Sequence, residues 1–134
     1  MPGPFISDAG GRTAEELLGD RGGAIVEANA QRWAERVDES WAHIISDFFV
    51  NGMYTRRVLP TASRELCAVA ALTVLGHAEE LETHIRFALR GNPPDQVREV
   101  IIQMAVYGGV PAAREGMRIF EDVLGHSDAA LPPS

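Results

Sequence analysis

Apolar residues recur along most of this chain at intervals of three and four positions, the spacing that places them on one face of an α-helix. Three segments show the pattern clearly. They carry Leu81, His84, Ile85, Ala88 and Leu89; Val97, Val100, Ile101 and Met104; and Ala113, Gly116, Met117, Phe120 and Leu124. The alternation of apolar and polar residues that marks a half-buried strand is not sustained anywhere in the sequence. The pattern therefore predicts an all-α fold.

Proline and glycine divide the pattern into separate predicted helices. The breaks fall at Pro60, at Gly76 and in the stretches 91–94 and 108–111. The predicted helices cover residues 13–20, 23–30, 33–50, 61–75, 78–90, 95–107 and 111–124. Both ends of the chain, 1–11 and 126–134, are rich in glycine, proline or small polar residues and are predicted to be loose. The length between them, 12–125, suits a single helical domain.

Composition and charge exclude several classes of function. The formal net charge of −7, without clustered basic residues, argues against binding nucleic acid. All twelve basic residues are arginine, which removes chemistry that needs a lysine Schiff base or a pyridoxal cofactor carried on lysine. No apolar run approaches the ~20 residues that cross a bilayer, the first residues lack the order of a secretion signal, and the single cysteine cannot form an internal disulfide. We expect a cytoplasmic protein that does not bind membranes.

Glu65 and His84 are the first candidates for chemistry. The predicted helices that carry them are joined at Gly76–His77 by a connection so short that they should pack antiparallel. At ~1.5 Å of rise per residue, the two residues are offset by only about 4–5 Å along the helix axes. Glutamate and imidazole side chains in a shared groove could then meet directly or through one water. The spacing permits an acid–base pair.

Each of these residues also has an ordinary structural explanation. His84 stands on the apolar face of its helix, where a buried imidazole needs only some polar partner, such as a backbone carbonyl. Glu65 is near the start of its helix, where the macrodipole favours a carboxylate. The spacing alone does not decide between catalysis and these structural roles.

Four further groups of residues also have both a functional and a structural explanation. Cys67, among small apolar neighbours, is predicted to be a buried hydrophobe. The cluster at His77, Glu79, Glu80 and Glu82 lacks a fixed ligand spacing, so we predict no metal site. Arg56 and Arg57 follow "NGMYT" and are suited to binding a carboxylate, although they could equally form a surface pair. Tyr107 could have a packing role only.

The segments "NGMYTRRVLP", "LETHIRFAL" and "VREVIIQMAVYGGVPAA" together resemble the carboxymuconolactone decarboxylase family, in matching order and spacing. The resemblance extends from about Leu18 to Leu124. It implies an all-helical bundle that assembles as a homo-oligomer, a trimer or hexamer, with sites near subunit contacts. In the family's redox branch, the alkylhydroperoxidase D-like proteins, a Cys-x-x-Cys pair lies between a glutamate and a histidine. Here those cysteine positions hold His77 and Glu80, so the resemblance points to the decarboxylase branch.

The resemblance implies a reaction that needs neither a metal nor an organic cofactor. The departing carboxylate of carboxymuconolactone lies next to an alkene conjugated with the lactone carbonyl, so the substrate accepts the electrons itself. The protein has to hold carboxylates, stabilise an enolate oxygen and deliver a proton. Arg56 or Arg57 would bind the small-molecule carboxylate and His84 would perform the other two tasks. Glu65 would orient His84, with Tyr107 at the rim of the pocket.

Three departures from the family pattern place the substrate in question. Tyr54 stands where the decarboxylases have tryptophan, Glu65 replaces a residue that is often non-acidic, and the loop "GNPPD" is one residue short. A specialised relative that decarboxylates, isomerises or cyclises a polyketide-like acid is therefore one alternative. A binding or scaffold protein that keeps only the fold is another.

Overall fold

The computed structural model describes residues 4–126 and is all-α: no strand occurs within that range. The α-helices are α1 Asp8–Leu18, α2 Gly22–Arg36, α3 Glu39–His43, α4 Thr61–Leu75, α5 Ala78–Gly91, α6 Pro94–Gly108 and α7 Val110–Gly125. A π-helix, Ile44–Val50, continues α3, and a 3₁₀ turn, Met53–Thr55, follows it. The chain forms two compact units that divide between Thr61 and Ala62. The predicted fold class is confirmed.

The first unit begins earlier than the sequence suggested. Helix α1 starts at Asp8, where Ser7 Oγ accepts a hydrogen bond from the Gly10 amide at 3.0 Å. Ahead of it, Phe5 and Ile6 are buried, and the Glu27 carboxylate accepts from both of their backbone amides, at 3.1 and 2.9 Å. Glycine and proline led to the prediction of a loose segment over 1–11. The two apolar residues and their buried contacts outweigh that composition.

The predicted helices 23–30 and 33–50 are divided differently in the structure: α2 runs unbroken through 22–36, and α3 and the π-helix cover 39–50. Helix α2 ends at Arg36, and Asp38 starts a new helix by accepting a hydrogen bond from the Trp41 amide at 2.7 Å. Ala42 of α3 is buried, and the π-helix that follows buries Ser46 and leaves Ile44 and Phe48 exposed. Its wider turn does not follow the 3.6-residue period that the sequence analysis used.

The core of the second unit contains residues from all four of its helices. The buried members are Val69, Leu81, Ile85, Ala88, Val97, Ile101, Ile119, Phe120 and Val123. Helix α7 approaches closely at Gly116, where an added Cβ would lie 2.9 Å from Ile101 Cγ2 and 3.1 Å from Thr73 Cγ2. These helix bounds agree with the predicted ones to within a residue.

The predicted domain of 12–125 stays a prediction. The tail predicted to be loose, 126–134, lies outside the described residues except for His126. Within 4–126, no helix combines the length and the apolar character that a membrane crossing requires.

Candidate active site

Glu65 and His84 are in direct contact in the second unit. His84 Nδ1 lies 2.7 Å from Glu65 Oε1, and the two side chains are 9% and 1% exposed. A carboxylate accepts hydrogen bonds, so in the neutral imidazole the Nδ1 atom carries the proton and Nε2 has the free lone pair. The predicted pair is therefore formed in the structure, and it holds His84 in one tautomer.

The short connection between α4 and α5 makes this contact possible. Gly76 has φ +74°, a left-handed conformation that glycine adopts without steric cost. From there the helices run back along each other. At their far end, Asn92 Nδ2 donates to the carbonyls of Ala62 and Ala88, at 3.0 Å each. Contacts at both ends of the hairpin fix the level at which Glu65 meets His84.

The second carboxylate oxygen of Glu65 is the unusual atom of the pair. Oε2 is buried and has no hydrogen-bond partner among residues 4–126. A buried acceptor left without a partner costs free energy, about 1–3 kcal/mol and more for a charged group. The Phe87 ring packs edge-on against the His84 imidazole, with ring centroids 5.2 Å apart. Glu65 is therefore not a solvent-facing carboxylate at a helix start; it is a buried partner of His84.

The remaining predicted site residues have different surroundings. Tyr54 and Arg56 belong to the first unit, where the Tyr54 ring contacts Phe49 at 4.8 Å. Arg57 is engaged within that unit: Nη1 lies 2.9 Å from Glu16 Oε1 and 3.1 Å from Thr61 Oγ1. Tyr107 belongs to the second unit and is 69% exposed. The structure thus brings Glu65 and His84 together and gives Arg57 protein partners.

Two sequence expectations concern metals and thiols. Cys67 is exposed, so the prediction that it is buried was wrong, because the helix turns this position away from Val69 and the core. No three His, Cys, Asp or Glu side chains within 4–126 are placed to hold a metal ion. The cluster at His77, Glu79, Glu80 and Glu82 falls within that search.

Two side chains that contact Arg57 could not be predicted from the sequence. Thr13 is 1% exposed, and its Oγ1 accepts from Arg57 Nη2 at 3.3 Å. Glu16 follows one turn later on α1. Neither has a sequence signal, since both lie more than forty positions from Arg57. A groove of about 720 Å³ between α1 and α2 was also missed; its lining residues include no predicted site residue.

The fold and the Glu65–His84 contact define a class of protein. It is all-helical, has a buried histidine–carboxylate pair, and its single cysteine, Cys67, is exposed. Comparison makes the class specific. Residues 40–122 match the carboxymuconolactone decarboxylase family. Over 97 residues, covering 72% of this chain and 71% of the relative, the sequence is 31% identical to the 4-carboxymuconolactone decarboxylase of Acinetobacter baylyi. This chain belongs to the carboxymuconolactone decarboxylase family.

Proposed function

We propose that this protein is a cofactor-independent decarboxylase of a carboxylated lactone such as 4-carboxymuconolactone. The observation that carries the proposal is the 2.7 Å contact between His84 and Glu65, buried in a member of this family. The similarity to a named decarboxylase supports the reaction class. The identity of the lactone is part of the proposal.

The reaction requires the protein to bind the substrate and to deliver a proton to carbon. The bond from the ring carbon to the departing carboxylate breaks, and its electron pair moves through the adjacent alkene onto the lactone carbonyl oxygen. CO₂ leaves and an enolate remains. A proton delivered to carbon then restores the carbonyl. A positioned acid that supplies this proton contributes about 10²–10⁴-fold in rate.

His84 is the proposed proton donor. Because Nδ1 is held by Glu65, Nε2 is the ring nitrogen left to exchange a proton with a substrate. When both nitrogens are protonated, the Glu65 carboxylate stabilises the imidazolium. Its Nε2–H can hydrogen-bond the enolate oxygen and then transfer its one proton to carbon, which leaves the neutral imidazole. The buried surroundings strengthen both interactions, since the local dielectric is low.

Arg56 is the proposed carboxylate-binding residue. It is exposed, and its guanidinium suits bidentate capture of a carboxylate. Arg57 lies 2.9 Å from Glu16, which competes with a substrate carboxylate for the same guanidinium. Arg56→Ala should raise KM more than it lowers kcat, because binding of a distant carboxylate is nearly the same in the ground state and the transition state.

A second function is favoured by Glu65 itself. Glu65 contacts His84 directly, and its other carboxylate oxygen has no partner among the described residues. Such a pair can both remove a proton from a substrate and return one. That capacity suits an isomerase or cyclase acting on a polyketide-like acid, and Tyr54 in place of tryptophan is consistent with a different substrate. A scaffold protein needs no such buried pair, which weighs against that alternative.

The deciding experiment is incubation with 4-carboxymuconolactone while following ultraviolet absorbance and CO₂ release together. Loss of substrate absorbance with one CO₂ per molecule supports the decarboxylase. An absorbance change without CO₂ favours the isomerase or cyclase. No turnover by well-folded protein contradicts the proposed substrate, and His84→Asn serves as the control for uncatalysed loss of CO₂.

A further inference from the structure

Within the first unit, Arg57 contacts both α1 and Thr61, the residue at which that unit ends, around the segment that carries Arg56. Its Nη1 contacts Glu16 Oε1 on α1 at 2.9 Å and donates to Thr61 Oγ1, at the start of α4, at 3.1 Å. Its Nη2 donates to Thr13 Oγ1 at 3.3 Å. The Glu16 and Arg57 side chains are about half exposed, at 46% and 53%. Salt screens such a pair, so its value for global stability is small.

The Thr13 hydroxyl adds a direct connection to the same segment. Thr13 is 1% exposed, and its Oγ1 lies 3.2 Å from the carbonyl oxygen of Tyr54 and 3.2 Å from that of Ala9. One hydroxyl thus accepts from Arg57 and can donate to the Tyr54 carbonyl. The buried Thr13 oxygen thus connects α1 to both the 3₁₀ turn and Arg57.

Apolar burial does not hold the loop that follows Arg57. Val58 is 80% exposed and Leu59 is 42% exposed. A connection without a buried apolar anchor depends more on its polar contacts for a fixed shape. The contacts of Arg57 to α1 and to Thr61 close this loop at both of its ends.

Arg56 directly precedes Arg57 in this segment. Arg56 has an extended backbone, with φ −70° and ψ 130°, and consecutive side chains of an extended segment point to opposite sides. Arg57 points at α1. We propose that Arg57, with Glu16 and Thr13, is a positioning residue that fixes the segment from which Arg56 binds the substrate carboxylate. This inference rests on the proposed function.

The first test compares KM and kcat for 4-carboxymuconolactone. Arg57→Ala should raise KM about tenfold, the effect of weakening one charged hydrogen bond to substrate, and leave kcat within about twofold. Thr13→Val should act in the same direction, and Thr13→Ser, which keeps the hydroxyl, should restore the parent KM. Arg118→Ala is the matched control, because it breaks a similarly exposed ion pair with Glu115 at 2.6 Å. An unchanged KM for Arg57→Ala overturns the proposal.

Glu16→Gln separates positioning from direct binding. If Arg57 holds the segment, loss of the Glu16 charge should raise KM by a few-fold. If Arg57 itself binds the substrate, removing its competing carboxylate should lower KM, which would overturn the proposal. The double variant gives a second check: in an Arg56→Ala background, Arg57→Ala should add nothing, whereas additive effects mean that Arg57 does not act through Arg56.

A readout without substrate separates this inference from the proposed reaction. The Arg56 amide donates to the Met53 carbonyl at 3.2 Å, so its hydrogen exchange reports on the segment. Arg57→Ala should raise the exchange rate of this amide at least about tenfold and leave the Ile101 amide in α6 unchanged. If the parent protein does not turn over the lactone, the proposed function fails, and this rate alone decides: faster exchange supports the positioning network, and unchanged exchange overturns it.

Discussion

His84 carries the chemistry proposed at the residue scale, and its replacement can be designed to spare the packing. Asparagine keeps a nitrogen donor near the place of Nδ1 and can still bond Glu65, but it cannot exchange a proton at Nε2. His84→Asn should therefore fold like the parent and lose about 10²–10⁴-fold in kcat. Steady-state kinetics and thermal melting check this.

His84→Ala should lose both activity and stability. It leaves the buried Glu65 carboxylate without its partner, which costs about 3–5 kcal/mol when a buried pair is broken from one side. An asparagine variant that keeps more than a tenth of the parent kcat would contradict the role of His84 as the acid.

Glu65→Gln tests whether the charge of the pair matters. Glutamine can still accept from Nδ1–H, so the imidazole orientation should persist, but the stabilisation of the imidazolium is lost. We expect kcat to fall by about ten- to a hundredfold, as when a group that orients a histidine is removed. Unchanged kcat would mean that Glu65 is a structural partner only.

Cys67 provides a prediction of no effect. Because it is exposed and the chain has no second cysteine, Cys67→Ser should leave both turnover and melting temperature unchanged. Peroxide consumption by the parent that disappears in this variant would contradict the assignment to the branch without the thiol pair.

At this scale, a contact could be predicted from the sequence only where its two residues lie close together along the chain. Glu65 and His84 were found because one short turn joins their helices, so helix geometry fixed their level. Thr13 and Glu16 were not found, because their approach to Arg57 depends on how α1 packs, which no local pattern encodes. Small apolar neighbours predict burial for Cys67, but the side chain is exposed. Neighbours in sequence do not fix which face of a helix a residue occupies.

At the scale of elements, the close packing of α7 predicts that no side chain larger than that of glycine fits at Gly116 without destabilising the fold. An added methyl would meet Ile101 Cγ2 at 2.9 Å and Thr73 Cγ2 at 3.1 Å, and neither β-branched side chain rotates freely. Gly116→Ala should lower the free energy of unfolding by about 1–3 kcal/mol, the usual cost of overpacking. Chemical denaturation measures it.

Gly125→Ala is the matched control in the same helix. An added Cβ at Gly125 has nothing within 4 Å, and alanine has the higher helix propensity. Its stability should be equal to that of the parent or slightly higher. Equal stability of the Gly116 and Gly125 variants would show that α7 can shift to make room.

Helix bounds were predicted well where proline or glycine marks the end, as at Gly76 and Pro94. They were wrong in the first unit. The break before Asp38 has neither residue, and a π-helix has no distinctive composition that its sequence could reveal.

At the scale of the whole molecule, we predict a homo-oligomer, a trimer or hexamer, that uses the segment 41–50. Three large apolar side chains of this segment, Trp41, Ile44 and Phe48, are 39%, 59% and 72% exposed in the single chain, and clustered apolar exposure is typical of a partner site. A symmetric assembly buries it in every copy. Sedimentation at micromolar concentration should give a multiple of 14.5 kDa.

Phe48→Glu should shift that mass toward the monomer, because it places a charge in the buried contact. Val106→Glu changes an apolar residue of the second unit that is 78% exposed and serves as the comparison. A monomeric parent contradicts the assembly. Dissociation by the Val106 variant but not by the Phe48 variant contradicts the choice of surface.

The hairpin of α4 and α5 also has a kinetic consequence. Glu65 and His84 are only 19 positions apart in the sequence, and the entropic cost of closing a loop rises with its length. Contacts this local form early when a chain folds, ahead of those that join distant segments. The proposed proton-transfer pair is therefore expected to assemble before the Arg57 network, whose contacts to α1 span more than forty residues. During refolding, the histidine should find its carboxylate while the segment that carries Arg56 is still unordered.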